Sequence, residues 1–418
     1  MKCRLWLAMA WLPLSALASP FLEGTLPATM GVNIHFIRGH DRDLDMIAAA
    51  GFRFARMDFL WGETEQTKGR YDWSEYDDLT ANLERRGIRP YYILDYSNPI
   101  YETDDASPQH PASVAAYAHW AASVAKHFRG RHIVWEIWNE PNGSSFWHPG
   151  PNVEQYTTLA LAACKAIRRA DPRAIIVAPA CFGFDWSFLK SFLHSGVLAY
   201  LDAVSVHPYR PAPPETVAAE YHRLRELIAH NAPKGKKIPI LSGEWGYTSS
   251  PGGVSLQTQA DYIARQQLFN LFCGVPVSIW YDWSNDGQDP ANNEDNYGTV
   301  TFDLKPKPAY IAIQTLTREL SGYRISGRYD TGAATDCALV LTNTDGEIKL
   351  AAWTLGKPHS ATFVLSRMFS DKKLSWVNGD NEKGTLKVEE DRFTAELNGA
   401  PMYIRLGRTH LNTVPSAN

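Results

Sequence analysis

The sequence predicts an α/β fold, a (β/α)8 TIM barrel followed by a small C-terminal antiparallel β-sandwich domain. From about residue 28 to 320, short and nearly continuous apolar runs alternate with amphipathic helical patterns, as expected for parallel strands buried on both faces. No GxGxxG motif follows the first apolar run, which disfavours a doubly wound open sheet. After about Gly322 the helical patterns stop, and short strand-like runs separated by polar turns begin.

Eight segments each contain a short apolar run and are predicted as strands. In chain order they are Gly31–Phe36, Phe52–Asp58, Arg89–Asp95, Ile133–Trp138, Ala174–Ala178, Ala203–His207, Ile238–Glu244 and Val277–Trp283. Helical patterns lie between and after them, at Asp72–Arg86, Ser113–Phe128, Val153–Ala170, Pro214–His230, Leu256–Cys273 and Pro308–Leu320. In the first helix Tyr76, Leu79 and Leu83 recur at helical spacing, and Gly87 stands at the expected stop. Strands that are each followed by a helix are typical of this barrel.

The N-terminus has the pattern of a signal peptide. Lys2 and Arg4 precede an apolar run from Leu5 to Leu17, and Ala16-Leu17-Ala18 fits a small-x-small cleavage site. This run is shorter than the ~20 residues of a transmembrane helix, so we expect no stable membrane anchor and a secreted or periplasmic protein. The predicted division is residues 1–18 signal peptide, 19–321 barrel, 322–408 β-sandwich domain and 409–418 loose tail.

The C-terminal domain is predicted from short runs at Ala338–Thr342, Lys349–Thr354, Ala361–Leu365 and Met402–Leu406. We expect this domain to pack against the barrel, and carbohydrate binding is the alternative role.

Composition and charge narrow the classes of partner. The net charge is −4, which indicates neither a nucleic-acid surface nor binding to an anionic membrane. The mature cysteines form no CxxC pair, so one disulfide and four free thiols both remain open. No HExxH pattern occurs, and we expect neither a catalytic metal nor a cofactor. The acidic stretch Asp286–Asp295 lacks EF-hand spacing and is interpreted as a solvated loop rather than a calcium loop.

Two glutamates lie at the predicted carboxyl ends of barrel strands. Active sites of these barrels lie at the carboxyl ends of the strands. Strand four ends in the string Trp135–Asn142, which contains Glu140, and strand seven ends in Leu241–Gly246, which contains Glu244. A carboxylate in a half-buried pocket costs folding free energy, so its presence there indicates a functional role. The alternative is that each glutamate is a structural ion-pair partner or a helix cap.

These strings carry a family resemblance. Trp138-Asn139-Glu140-Pro141, together with Gly243-Glu244-Trp245, resembles clan A of the glycoside hydrolases, family 39 first, including its exopolysaccharide hydrolase branch, and family 5 next. Further matching strings are His207-Pro208-Tyr209, Trp280-Tyr281-Asp282-Trp283, Lys305–Tyr310 and Gly399–Ile404.

The resemblance implies a role for each matching residue. Glu140 corresponds to the acid/base, Glu244 to the nucleophile, and Asn139 to the group that binds the sugar 2-hydroxyl. The implied substrate-binding residues are Arg56 beside the nucleophile, His207 and Tyr209 near it, and Trp280 as a sugar platform. His35 is either a sugar ligand or a core histidine. Other possible platforms are Trp61, Trp147, His148, Trp245 and Trp283.

Some of these roles have structural alternatives. Arg56 could instead pair with Asp58 or Glu63, and Trp280 could belong to the core.

The resemblance therefore implies a retaining β-glycosidase that hydrolyses O-glycosidic bonds of a polysaccharide or oligosaccharide by double displacement. The substrate expected is a plant β-glycan or a bacterial exopolysaccharide, with internal cleavage slightly favoured. The alternatives are a non-catalytic carbohydrate-binding protein and a transglycosylase on the same barrel.

Overall fold

The computed structural model describes residues 20–21, 24–103, 105–366, 372–408 and 411. The predicted signal peptide lies outside the described residues, as does nearly all of the predicted tail. Within the described residues, a closed barrel of eight parallel strands is followed by an antiparallel sheet of eight strands. The predicted fold class is thereby confirmed.

The barrel strands follow one another around the barrel in chain order, and β1 pairs with both β2 and β8. Their bounds are β1 Met30–Asn33, β2 Phe54–Leu60, β3 Arg89–Asp95, β4 Val134–Ile137, β5 Ile175–Phe182, β6 Ala203–His207, β7 Ile240–Trp245 and β8 Ser278–Trp280. All eight predicted strands are present, and two of them have the predicted bounds.

Helices surround the barrel, with bounds α1 Asp41–Ala50, α2 Trp61–Thr64, α3 Ser74–Arg85, α4 Pro111–His127, α5 Val153–Ala170, α6 Trp186–His194, α7 Ala218–Asn231, α8 Leu256–Phe272 and α9 Pro308–Leu320. Three short 3-10 turns lie at Val197–Ala199, Pro214–Val217 and Glu294–Asn296. The predicted helix 214–230 is thus a 3-10 turn followed by α7. Helices α1, α2 and α6 were not predicted.

The barrel interior is layered, and the layering sets the floor of the site. Side chains alternate between the two faces of a strand, so Phe54, Arg56 and Asp58 of β2 project to the same side at rising levels. Phe54 belongs to an apolar interior cluster with Val134, Ile175, Val177, Ala203, Leu241, Val277 and Ile279. One level higher, the corresponding positions are the polar residues Arg56, Glu136 and Ser205. An apolar floor therefore closes the barrel below a polar layer.

The C-terminal sheet has the strand order β12-β15-β14-β13-β16-β11-β10-β9. Its bounds are β9 Arg324–Arg328, β10 Asp336–Thr342, β11 Ile348–Thr354, β12 His359–Val364, β13 Lys373–Asn378, β14 Lys383–Glu389, β15 Arg392–Leu397 and β16 Met402–Gly407. In β15 buried and exposed residues alternate strictly, as in a sheet with one solvated face.

This sheet packs against the barrel, as predicted. Trp353 on β11 donates through Nε1 to Glu215 at 2.7 Å, and Arg265 on α8 binds the same carboxylate through two hydrogen bonds of 2.7 Å. Both Glu215 and Arg265 are nearly inaccessible to water. A shared buried ion pair therefore joins α8, the loop before α7 and the second sheet.

The four mature cysteines Cys164, Cys181, Cys273 and Cys337 are all free thiols. Among the described residues, no helix is both long and apolar enough to cross a membrane.

Candidate active site

Arg56 is the centre of the polar layer at the carboxyl ends of the strands. Its guanidinium donates to Glu244 Oε2 at 2.5 Å and to Glu136 Oε2 at 2.8 Å, and its side chain is 1% exposed. It also donates to Asn139 Oδ1 at 2.8 Å and to Asn33 Oδ1 at 3.1 Å. Burial acts to lower the pKa of Arg56, but the charges of Glu136 and Glu244 hold it well above its usual value. Arg56 therefore pairs with Glu136 and Glu244 rather than with Glu63.

Glu244 is presented at the end of β7 by a glycine and a break in strand register. The pairing of β7 with β8 shifts between Ser242 and Trp245, a bulge that re-aims the intervening residues. A side chain on Gly243 would place its Cβ 2.2 Å from the hydroxyl of Ser205. The preceding position must therefore be glycine for Glu244 to approach the polar layer.

The Glu244 carboxylate is surrounded by donors. Tyr209 donates its hydroxyl to Oε1 at 2.8 Å, and Arg56 donates to Oε2. These two donors occupy separate oxygens and stabilise the negative charge. The structure thus brings together the predicted nucleophile and two of its predicted partners.

Glu140 stands on strained backbone beyond the end of β4. Trp138 and Glu140 both have positive φ, at 66° and 44°, in a region that residues other than glycine enter at a cost. The backbone amide of Glu140 donates to the carbonyl of Ala180 on β5 at 3.1 Å, and the amide of Gly143 donates back to Glu140 at 2.8 Å. These bonds hold the turn that aims the Glu140 side chain into the barrel mouth.

His207 holds the Glu140 carboxyl group. Arg56 faces His207 Nε2 at 3.3 Å, and a guanidinium can only donate, so Nε2 is the acceptor. Nδ1 therefore carries the hydrogen and donates it to Glu140 Oε1 at 2.7 Å. Burial lowers the pKa of His207 to about 4, with the Arg56 charge acting in the same direction and that of Glu244 in the opposite one. His207 is consequently a neutral donor at physiological pH.

The two glutamates differ in their surroundings. Burial raises the pKa of Glu140 to about 7, although the charge of Arg56 acts against this rise. A carboxylate oxygen of Glu140 lies within 4.8 Å of one of Glu244. A protonated Glu140 and the Glu244 carboxylate can therefore reach the same substrate.

Asn139 lies between the two glutamates in the sequence and next to Arg56 in space. Because its Oδ1 accepts from Arg56, its amide nitrogen is the group left to bind a ligand. Arg56 thus orients the amide, and the role of Asn139 toward a 2-hydroxyl stays a prediction.

His35 lies at the rim of the site rather than in the core, with 36% of its side chain exposed. Asn33 accepts from Arg56 through Oδ1, so its amide nitrogen faces His35 Nε2, at 2.9 Å. His35 Nδ1 then donates to Asp286 at 2.9 Å. A chain of hydrogen bonds therefore connects Arg56 with the loop after β8.

The prediction of Trp280 as a sugar platform is wrong by one position. Trp280 is 0% exposed and packs beside Tyr247, so it offers no face to a ligand. Successive side chains of a strand point to opposite faces, and the next residue, Tyr281, lies at the mouth of the barrel. Its ring is 5.5 Å from that of His35 and 6.4 Å from that of Tyr209. Tyr281 is the aromatic residue that strand eight offers to the site.

The tryptophans suggested as additional platforms are likewise buried. Their exposures are 0 to 1%, and they are Trp61, Trp147, Trp245 and Trp283. Each has a core contact instead, such as the Trp283 indole that donates to Asp43 at 2.9 Å. His148 is half-buried and accompanies Phe146 and Tyr96 around a cavity of about 220 Å³ beside the site.

Glu136 is a site residue that the sequence reasoning missed. It is fully buried, binds Arg56, and accepts the hydroxyl of Tyr91 at 2.7 Å. A signal was available, since Arg56 and Glu136 each stand inside an otherwise apolar strand, where a charge requires an opposite partner.

Asp58 and Asp95 are two further carboxyl groups that feel the charge of Arg56. Burial raises the pKa of Asp58 and lifts that of Asp95 well above its usual value, although the charge of Arg56 acts against the rise in both.

Two groups among the described residues bring possible metal ligands within 4.8 Å of one another, namely His35, Asp282 and Asp286, and Glu140, His207 and Glu244. A metal ligand needs a free lone pair. In both groups the histidine Nδ1 carries a hydrogen that it donates to a carboxylate. In the second group Arg56 already supplies the positive charge.

The barrel, with paired glutamates after β4 and within β7, has the arrangement of clan A of the glycoside hydrolases, and the resemblance is confirmed. A family model described as Cellulase (glycosyl hydrolase family 5) matches residues 23–287. The chain belongs to this family.

Relatives and solved structures extend the comparison. A β-xylosidase from Caldicellulosiruptor saccharolyticus is 24% identical over 301 residues, 65% of this chain and 61% of the relative. A β-xylosidase from Geobacillus stearothermophilus is 23% identical over 223 residues, 50% of this chain and 42% of the relative. The matches thus span about half the length of these relatives. A family 39 glycoside hydrolase from Bacteroides cellulosilyticus WH2 has the same fold, with a TM-score of 0.80 at 24% identity, over 90% of this chain and 80% of that one.

Proposed function

We propose that the protein is a retaining β-glycosidase that hydrolyses O-glycosidic bonds of a polysaccharide or oligosaccharide by double displacement. The observation that carries this proposal is the pair Glu140 and Glu244, which have carboxylate oxygens within 4.8 Å of each other. Glu244 is bound by the charged Arg56, whereas Glu140 is bound by His207. Retaining enzymes have carboxyl groups about 5–5.5 Å apart, and inverting enzymes about 6.5–9.5 Å. Carboxylate oxygens this close support direct attack by Glu244 over attack by an intervening water molecule.

In the first step Glu244 Oε attacks the anomeric carbon, and the bond from that carbon to the leaving oxygen breaks. Glu140 delivers its proton to the leaving oxygen, which requires it to be protonated at the start. A pKa of about 7 satisfies this requirement at neutral pH and below.

In the second step water attacks the same carbon, and Glu140 accepts a proton from that water. The bond between the carbon and Glu244 breaks, so both carboxyl groups return to their starting states. Formation of the ester removes the charge of Glu244, which lowers the proton affinity of Glu140 at the moment when it must act as a base.

Arg56, Tyr209 and His207 position the reacting groups. Hydrogen bonds from Arg56 and Tyr209 fix the orientation of Glu244. His207 donates to Glu140 as a neutral group, so it adds no positive charge that would favour loss of the Glu140 proton. Asn139, oriented by Arg56, is available for a 2-hydroxyl contact that strengthens in the transition state.

The proposed substrate is a β-linked glycan, either of plant walls or of a bacterial exopolysaccharide. The β-xylosidase relatives support β-linked substrates. The N-terminal pattern of Lys2, Arg4 and the apolar run to Leu17 supports export to the periplasm or the medium, where such polymers occur.

The experiment is a screen of purified protein on β-glycans, exopolysaccharides and aryl β-glycosides, with products resolved by mass and chain length. Wild type is compared with Glu244→Ala, Glu140→Ala and the control Glu63→Ala, which removes an exposed glutamate near the end of β2. We expect Glu244→Ala to lose roughly 10⁴-fold or more in kcat, and the control to retain wild-type turnover.

Two further readouts assign the roles. Proton NMR of the first product should show the β anomer, and an α product would overturn retention. Azide added to Glu140→Ala with an aryl glycoside should give a β-glycosyl azide, whereas Glu244→Ala should give the α form. If wild type binds glycans but cleaves none, the protein is a binding protein. Transfer to added sugars that exceeds hydrolysis would identify a transglycosylase.

A further inference from the structure

Phe182 is an exposed aromatic residue at the catalytic end of the barrel that the proposed reaction does not use. It is the last residue of β5, and 50% of its surface is exposed. Parallel barrel strands all end on the same face, so Phe182 stands at the same rim as Glu140 and Glu244. Apolar side chains that remain exposed on a ligand-binding face commonly contact the ligand.

The backbone of Phe182 is held on both sides. Asn142 accepts from the Phe182 amide at 2.8 Å and donates to its carbonyl at 3.0 Å. The next amide, that of Gly183, donates to the carbonyl of His207 at 2.8 Å. Asn142 follows Glu140 by two residues, so the turn that contains Glu140 also fixes the backbone from which this phenyl ring projects. Stacking of a ligand on the ring therefore requires no further ordering of this backbone.

Phe182 follows closely in β5 on the residue that binds the backbone of Glu140. Glu140 is hydrogen-bonded through its amide to Ala180, two residues before Phe182. The Phe182 ring lies 6.1 Å from the ring of Tyr209, which binds Glu244. A general acid protonates the leaving oxygen, so the leaving sugar must lie on the acid side of the cleaved bond.

We propose that Phe182 is the platform on which the leaving-group sugar stacks, and that Asn142 is its positioning residue. This inference rests on the proposed glycosidase function and adds a determinant of leaving-group specificity. A phenyl ring has no hydrogen-bonding group, so it favours a pyranose ring with an apolar C–H face and does not read its hydroxyl pattern. The site would thus select a sugar over a small leaving group while tolerating different sugars.

The test compares two substrates that share the cleaved sugar and differ in the leaving group. The first pair is xylobiose and β-xylosyl fluoride, and the second is cellobiose and β-glucosyl fluoride, taken according to which sugar wild type cleaves in the screen. Variants are Phe182→Ala, Phe182→Trp, Asn142→Ala and the control Phe272→Ala. Phe272, 37% exposed at the end of α8, lies at the opposite end of the barrel.

The expected result is a change in the ratio of kcat/KM for the disaccharide to that for the fluoride. Phe182→Ala should lower this ratio about tenfold, because the fluoride has no ring to stack. Phe182→Trp should restore it, Asn142→Ala should lower it by a smaller factor, and Phe272→Ala should leave it unchanged.

Two further outcomes would contradict the inference or the function on which it rests. If Phe182→Ala lowers kcat/KM equally for both substrates, or for neither, the platform does not exist although the glycosidase does. If wild type cleaves neither substrate of either pair nor any glycan in the screen, the proposed function itself fails, and this inference with it.

Discussion

The two sides of the site hold the same type of side chain in different surroundings. Glu244 accepts a hydrogen bond on each carboxylate oxygen, from the charged Arg56 on Oε2 and from the neutral Tyr209 on Oε1. Glu140 receives one neutral donor, His207, and burial raises its pKa to about 7. The difference shows that the role of each glutamate depends on its neighbours on other strands, because the residue type is identical.

The largest expected effect comes from removing the charge that both sides share. Arg56→Met leaves Glu136 and Glu244 buried without their partner, and we expect a loss of about 3–5 kcal/mol in the free energy of unfolding. Urea denaturation measures this loss. Arg56→Lys retains the charge but cannot reach all the carboxylate and amide partners, so it should fold and still lose activity. Wild-type activity in Arg56→Lys would contradict the positioning role.

The next effect tests the nucleophile side alone. Tyr209→Phe removes one hydrogen bond to a charged carboxylate, worth about 1.5–3 kcal/mol, and should lower kcat/KM roughly 10- to 100-fold. Steady-state kinetics on an aryl glycoside provide the measurement, with circular dichroism as a check of folding. An unchanged kcat/KM would mean that Arg56 alone orients Glu244.

Amide substitutions of the two glutamates should change stability in opposite directions. Folding raises the pKa of Glu140 from 4.5 to about 7, so the stability associated with its proton is complete below pH 4.5 and is lost as the pH rises through 7. Glu140→Gln should therefore gain about 1–3 kcal/mol relative to wild type at pH 8 and little at pH 4.5.

Glu244→Gln should instead lose about 1–3 kcal/mol, because Arg56 is left with one charged partner fewer. Chemical denaturation of both variants at pH 4.5 and 8 provides the measurement. Changes of the same sign at pH 8 would contradict the difference between the two sides.

The smallest effect concerns the pH profile. Since the proposed mechanism requires a protonated Glu140 in the free enzyme, kcat/KM should fall to half near pH 7 and continue to decline above it. With an aryl glycoside whose leaving group needs no proton, Glu140→Gln should lack this alkaline decline. A decline that persists in Glu140→Gln would assign it to another group.

Much of the architecture could be predicted from local patterns. The buried parallel strands appear as apolar runs, and Arg89–Asp95 and Ala203–His207 have the predicted bounds. Four strands of the second sheet were missed, among them Lys383–Glu389, in which Val388 alone is buried. A strand of this composition pairs through its backbone, so its side chains provide only a weak apolar signal.

The site could be predicted only in part. Glu140, Glu244 and Asn139 stand in short strings at strand ends, whereas the partner of Arg56, Glu136, is 80 residues away and was missed. Trp280 was chosen over Tyr281 because a one-residue difference in register reverses which face a side chain occupies.

The sequence by itself determined the alternation of strands and helices, the rim position of both glutamates and the expected class of reaction. The tertiary structure alone decided which carboxylate Arg56 and Tyr209 bind, which ring nitrogen of His207 carries the donated hydrogen, and which aromatic residues remain exposed. The physical reason is that protonation and exposure depend on distances of a few ångströms between groups on different strands. Barrel closure sets those distances, and spacing along the chain does not encode them.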